Sequence, residues 1–192
     1  MISENFVFLA VIISAISGLY YIYQVVQARV KPNRATWLVL SIAPMVALGG
    51  EVSEGVGIRS LITFMSGFIP LLIFISSFIN KESYWKLQKL DYWYAALAVF
   101  GLILWRITGE GSVAIVFAIF ADLMAFMPTL LKAYKYPETE NYAAFLGASV
   151  SALIGLLVLD TYSFADWAFP AYLLVVDLTM VYLVAIRGYR KK

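Results

Sequence analysis

Two aspartates, Asp122 and Asp177, stand deep inside long apolar runs. They are the residues of this chain best placed to do chemistry. Each lies 10 residues before a basic residue, Lys132 and Arg187 respectively. At about 1.5 Å of rise per helical residue, both carboxyls then sit roughly 15 Å from the same helix end. That is near the middle of a hydrocarbon layer roughly 30 Å thick. An ionised aspartate there costs about 2.5–3.5 kcal/mol on insertion scales. With the 14 Lys and Arg residues at helix ends or in loops, none is placed to compensate it. Such carboxyls are protonated, hold a cation or face water, and each state suits proton or cation handling.

The composition narrows the chemistry further. The 192 residues contain no His and no Cys. Disulfides, thiolate nucleophiles, His-held haem, common zinc sites and Ser–His catalysis are thereby excluded. No cofactor and no metal site is expected. Apolar residues make up 62% of the chain and charged residues 14%, with a mean hydropathy of +0.85. Soluble domains average about 45–50% and about 25%, so the chain belongs in a bilayer, among lipids. The net charge of +2 is small and its basic residues are scattered, which gives nucleic-acid binding no support.

Seven apolar runs of near-spanning length are legible at 6–26, 35–50, 58–79, 92–108, 112–132, 142–159 and 167–187. Ser3, Glu4 and Asn5 precede the first run, where a signal peptide would carry positive charge. We read it as a retained helix. With seven spans and the N-terminus outside, 12 of the 14 Lys and Arg residues fall on the inner side. Only Arg59 and Arg106 fall outside, as the positive-inside rule requires. The expected fold is all-α and integral to the membrane: seven transmembrane helices, N-terminus out and C-terminus cytoplasmic. The absence of extracytoplasmic domains and of cysteine points to a prokaryotic plasma membrane. A rhodopsin is excluded, because the last run has no Lys for a Schiff base.

The chain also repeats itself at an offset of 105. Val30-Lys31-Pro32 answers to Lys135-Tyr136-Pro137, and Thr36-Trp37 to Asn141-Tyr142. Tyr23-Gln24 answers to Pro128-Thr129. In each unit an apolar helix enters a basic loop containing Pro, and a second helix then opens on an aromatic residue. The expected plan is two parallel three-helix repeats, over 1–80 and 111–192, with a linker and fourth helix over 81–110 and a basic tail. Parallel repeats of this kind are a transporter pattern, with the site near mid-membrane where they meet.

On these features the whole chain resembles the seven-helix SWEET and PQ-loop transporters. Their Pro-Gln pair is split here: Tyr23-Gln24 keeps the Gln and Pro128-Thr129 keeps the Pro. The resemblance implies hinges at Pro44 and Pro128, whose repeat counterparts are Ser149 and Tyr23. It also implies that the helices bearing Asp122 and Asp177 are neighbours, and that intramembrane Asp serves proton coupling. Sugar-carrying members use Asn in the third helix of each repeat. This chain has Asn only at 5, 33, 80 and 141.

Further candidates follow from helical spacing. Ser14, Ser17, Tyr21 and Gln24 recur on one face of the first helix, which makes them expected cavity-lining residues together with Thr129. Ser17 is the repeat counterpart of Asp122. Ser60, Thr63 and Ser66 form a weaker stripe, equally suited to close helix packing. Trp37, Tyr23, Phe126 and Tyr142 are expected to narrow the inner mouth, whereas the other tryptophans suit an aromatic belt.

The function expected is transport of a small polar solute by alternating access, coupled to protons through Asp122 and Asp177. Partners would be the solute, protons and lipid, with room for an oligomer. The alternatives are an uncoupled facilitator of sugar or vitamin-like solutes and a membrane receptor on the same fold. An intramembrane aspartyl protease would need Tyr-Asp and Gly-x-Gly-Asp. Here the aspartates stand in Phe120-Ala121-Asp122-Leu123 and Val175-Val176-Asp177-Leu178, so no enzyme is expected.

Overall fold

The structure, a computed structural model, describes residues 2–53, 57–83, 85–108, 111–160, 162 and 164–187. Arg190, Lys191 and Lys192 of the expected basic tail lie outside the described residues. All regular structure among the described residues is helical. There are seven α-helices: α1 (Phe6–Val26), α2 (Arg34–Ser53), α3 (Ser60–Ser76), α4 (Lys89–Thr108), α5 (Gly111–Lys135), α6 (Ala143–Leu157) and α7 (Phe164–Val181). A π-helical turn, Tyr182–Arg187, extends α7. The stretches Phe6–Val26, Gly57–Ser76 and Trp167–Ile186 are long and apolar enough to cross a membrane, whereas α6 is apolar but shorter.

The outward faces are apolar, reversing the soluble pattern. On α1, Phe8, Ile12, Ile16 and Leu19 are exposed while Tyr21 and Gln24 are buried. Such a chain is stable only where its surroundings are themselves apolar.

Helix ends are closed by local hydrogen bonds. After α1 the chain turns through Ala28 at φ 55°, a left-handed conformation that L side chains rarely adopt. There the Arg29 N–H bonds to the Gln24 carbonyl and the Ala28 N–H to the Val25 carbonyl, each at 2.9 Å. This pair of bonds satisfies two of the orphan carbonyls of the last turn. Asn33 then caps α2, its Oδ1 accepting the N–H groups of Ala35 and Thr36 at 3.1 and 3.3 Å. Asn141 repeats the device at α6, where its Oδ1 accepts the Ala143 N–H at 2.8 Å.

The packing has a matching order in two sets of three. In the first, α3 packs against both α1 and α2; in the second, α7 packs against both α5 and α6. The sets meet through α1 on α6 and α2 on α5, while α4 lies against α5 and α2. α1 and α6 are antiparallel along their length. Val7 and Ala10 cluster with Ile154 and Val158, and Tyr21 meets Phe145 further on. Between these points Gly147 lets the helices approach so closely that an added Cβ would lie 2.4 Å from Ser17 Cβ. Four connecting or terminal segments gather at one end of the bundle. The Lys31 N–H bonds to the Thr139 carbonyl at 2.9 Å, and Asn80 Nδ2 to the Val26 carbonyl at 3.0 Å. The π-helical turn packs on the 137–139 turn there. At the opposite end, Arg59 pairs with Glu4 and Asp160 at 3.5 and 3.7 Å.

Candidate functional site

Asp122 on α5 and Asp177 on α7 are both buried, on helices that pack together. Both face the bundle interior, away from the apolar outward faces of their helices, which carry Val116, Phe120 and Leu131 on α5 and Val175 and Leu178 on α7. Tyr172, five residues before Asp177, donates its hydroxyl to Asp122 Oδ2 at 2.8 Å. Asp177 lies within electrostatic reach of both Asp122 and Tyr172. Among the described residues no Lys or Arg forms an ion pair with either carboxyl. The three side chains make a small acidic centre in which a neutral phenol donates a hydrogen bond to one carboxyl. It has the means to hold a proton or a cationic group. Sequence spacing did not single out Tyr172; its only signal was a hydroxyl-bearing aromatic within an apolar run.

An aromatic cluster fills the junction of the two sets. Tyr21 (α1), Trp37 (α2), Phe126 (α5) and Phe145 (α6) are all buried. Phe145 is central: its ring lies 6.1 Å from Tyr21 and from Trp37, and 5.9 Å from Phe126. Tyr21 and Trp37 are 5.3 Å apart. One ring comes from each of the four helices at the interface.

A buried polar network lies beside the cluster. Tyr21 donates its hydroxyl to Glu140 Oε2 at 2.5 Å, and Glu140 pairs with Lys132. Lys132 Nζ also donates to the Lys31 carbonyl at 2.5 Å and lies 5.1 Å above the Trp85 ring. Sequence reasoning missed Glu140 and Phe145. For Glu140 the available signal was a carboxylate in the loop directly after the helix bearing Lys132.

The remaining expected site residues are distributed unequally. Trp37 and Phe126 enter the aromatic cluster as a pair, joined through Phe145. Tyr23 and Tyr142 do not: they are 50% and 44% exposed. The correction for Tyr23 follows from the helical turn, because it is two residues from Tyr21 and thus on another face of α1. Tyr142 precedes the first turn of α6, outside the packed face. Tyr21, expected to line a cavity, is committed to Glu140 and the rings. Ser17 bonds back to the carbonyls of Ile13 and Ser14 at 2.8 and 3.2 Å and packs on Gly147, so it spaces helices instead of lining a cavity. Ser14 is half-buried, Gln24 is buried, and Thr129 is fully buried with its hydroxyl unpartnered. Pro44 and Pro128 are buried within the spans of α2 and α5. Ser60 and Ser66 bond to carbonyls of their own segment, at 2.7 and 2.8 Å.

No protein-family model matches this chain, and no curated protein or solved structure matches it significantly.

Proposed function

We propose that this protein is a membrane transporter of a small polar solute, working by alternating access and coupled to protons through Asp122 and Asp177. The observation that carries the reading is the pair of buried carboxyls on adjacent helices, with Tyr172 bonded to one and no basic partner at either among the described residues. Intramembrane carboxyls facing a bundle interior are costly, and their usual role is to bind protons or cations along a pathway.

The packing supports two halves that rock against each other. The central position of α3 in one set matches that of α7 in the other, and α1–α6 and α2–α5 form the seam between them. In this reading all seven helices span the bilayer, as two three-helix repeats with α4 as linker. The gathering of loops 27–33, 77–83 and 136–142 at one end agrees with a cytoplasmic, basic end, N-terminus out and C-terminus in. That plan is the one expected of the SWEET and PQ-loop transporters, which the chain resembles in the residues around Pro32 and Pro137. The aromatic cluster is the closed inner gate, with Tyr21 and Phe145 in the places expected of Tyr23 and Tyr142.

A thermal-stability screen tests the reading. Purified protein is heated with amino acids, amines, sugars and nucleosides at about pH 5 and pH 7.5. A ligand at about 100 times its dissociation constant stabilises by about 2.7 kcal/mol. The expected result is a pH-dependent hit that is lost in Asp177→Asn. A hit of equal size in wild type, Asp122→Asn and Asp177→Asn at both pH values would overturn the coupling site.

A further inference from the structure

The two ends of the seam are fastened differently. At one end Arg59 meets Glu4 and Asp160, whose side chains are 52% and 74% exposed. Such surface pairs hold little, being solvated and screened. At the other end the fastening is buried. Lys132 and Glu140 side chains are 1% and 0% exposed, and each also contacts the opposite three-helix set. Lys132 donates to the Lys31 carbonyl in the 27–33 loop, and Glu140 accepts from Tyr21 on α1. The Lys31 N–H to Thr139 carbonyl bond closes the same junction. Asp91 of α4 is a further carboxylate within electrostatic reach of Lys132, and the Trp85 ring covers the ammonium.

We infer that Lys132, Glu140 and Tyr21 form a latch that holds the 27–33 and 136–142 loops of the two halves together, and whose release opens this end of the bundle. The inference rests on the alternating-access reading. A rocking motion that parts α1 from α6 and α2 from α5 at this end must separate Tyr21 from Glu140 and Lys31 from Lys132. These contacts bridge the halves, whereas the Lys132–Glu140 pair lies within one of them and travels with it. Both side-chain bridging bonds involve a charged partner, the strong class of hydrogen bond, and the Tyr21–Glu140 bond is buried. The latch therefore biases the molecule towards closure at this end, and the exposed Arg59 pairs leave the opposite end freer.

The test uses the natural absence of cysteine. A single reporter, Thr129→Cys, replaces a fully buried residue one turn before Lys132. A second, Ala10→Cys, replaces a fully buried residue in the α1–α6 cluster towards the other end. The rate of maleimide labelling in detergent reads the opening at each place and needs no solute. Glu140→Gln is expected to speed labelling at position 129 by about tenfold or more, and Tyr21→Phe by less, with position 10 unchanged. Should Glu140→Gln not fold, the double variant Lys132→Met/Glu140→Met replaces a buried pair by apolar volume, an exchange that proteins tolerate. It is expected to label fast at position 129 as well, because both side-chain bridging bonds are gone. Wild-type labelling at position 129 in a folded variant would overturn the latch, as would equal acceleration at positions 10 and 129. Fast labelling at 129 alone, in a protein that moves no solute, would uphold the latch and refute transport.

Discussion

Gly147→Ala is the sharpest test of how the two sets of helices meet. An alanine Cβ at this position would lie 1.8 Å from Ser17 Oγ and 2.4 Å from Ser17 Cβ. Carbon atoms rest at about 3.5–4.0 Å, so α1 and α6 must part by about 1 Å at the crossing. Ser17 cannot swing its own Cβ aside, since that atom is fixed to the backbone. Overpacking of this kind costs about 1–3 kcal/mol. The same substitution in a Ser17→Gly background meets nothing nearer than the Ile13 carbonyl oxygen, at 3.3 Å. There the added methyl also gains helix propensity, and the penalty is expected to fall below about 0.5 kcal/mol. Unfolding in mixed micelles, followed by tryptophan fluorescence across the four proteins, measures the coupling. An equal penalty in both backgrounds, or none in the wild type, would refute the Ser17–Gly147 crossing and with it the antiparallel α1–α6 seam.

Three further outcomes follow from the buried polar groups. Tyr172→Phe removes the hydrogen bond that Tyr172 donates to Asp122 and is expected to cost about 0.6 kcal/mol, the mean for such bonds within membranes. Asp122→Asn keeps an acceptor for Tyr172 and should stay within that range while losing proton coupling, so unfolding and solute-driven proton movement together separate structure from function. Lys132→Met leaves Glu140 buried without its cation and is expected to cost about 3–5 kcal/mol, whereas Lys132→Met/Glu140→Met recovers most of it. Mixed-micelle unfolding of the two variants gives the comparison.

The helices were legible because burial in an apolar medium demands long apolar runs: all seven segments read from the sequence coincide with helices, with shifted ends. α5 continues to Lys135, past the expected stop at 132, because Lys132 finds buried partners and need not reach water. The face of α1 carrying Ser14, Ser17, Tyr21 and Gln24 was legible from its spacing, but its neighbour was not. Periodicity tells which residues turn inward; it does not tell whether they meet a cavity or another helix. Gly147, 130 residues from Ser17 in the chain, decides that question, and nothing local to Ser17 announces it. The Tyr21–Glu140 bond, 119 residues apart, was hidden for the same reason. Asp122 and Asp177 were legible because a charge within an apolar run is conspicuous wherever it packs. Their intermediary, Tyr172, was not, since tyrosines at membrane depth are common and only contact geometry distinguishes this one.

The central claim is that Asp122 and Asp177 couple solute to protons, and proteoliposomes test it most directly. Vesicles containing a pH-sensitive dye are loaded with wild type, Asp122→Asn or Asp177→Asn, and the solute found by the stability screen is added outside. The account predicts that solute entry acidifies the lumen with wild type and leaves it unchanged with either variant. Solute uptake that proceeds at wild-type rate in both variants, with the same accompanying pH change, would contradict it.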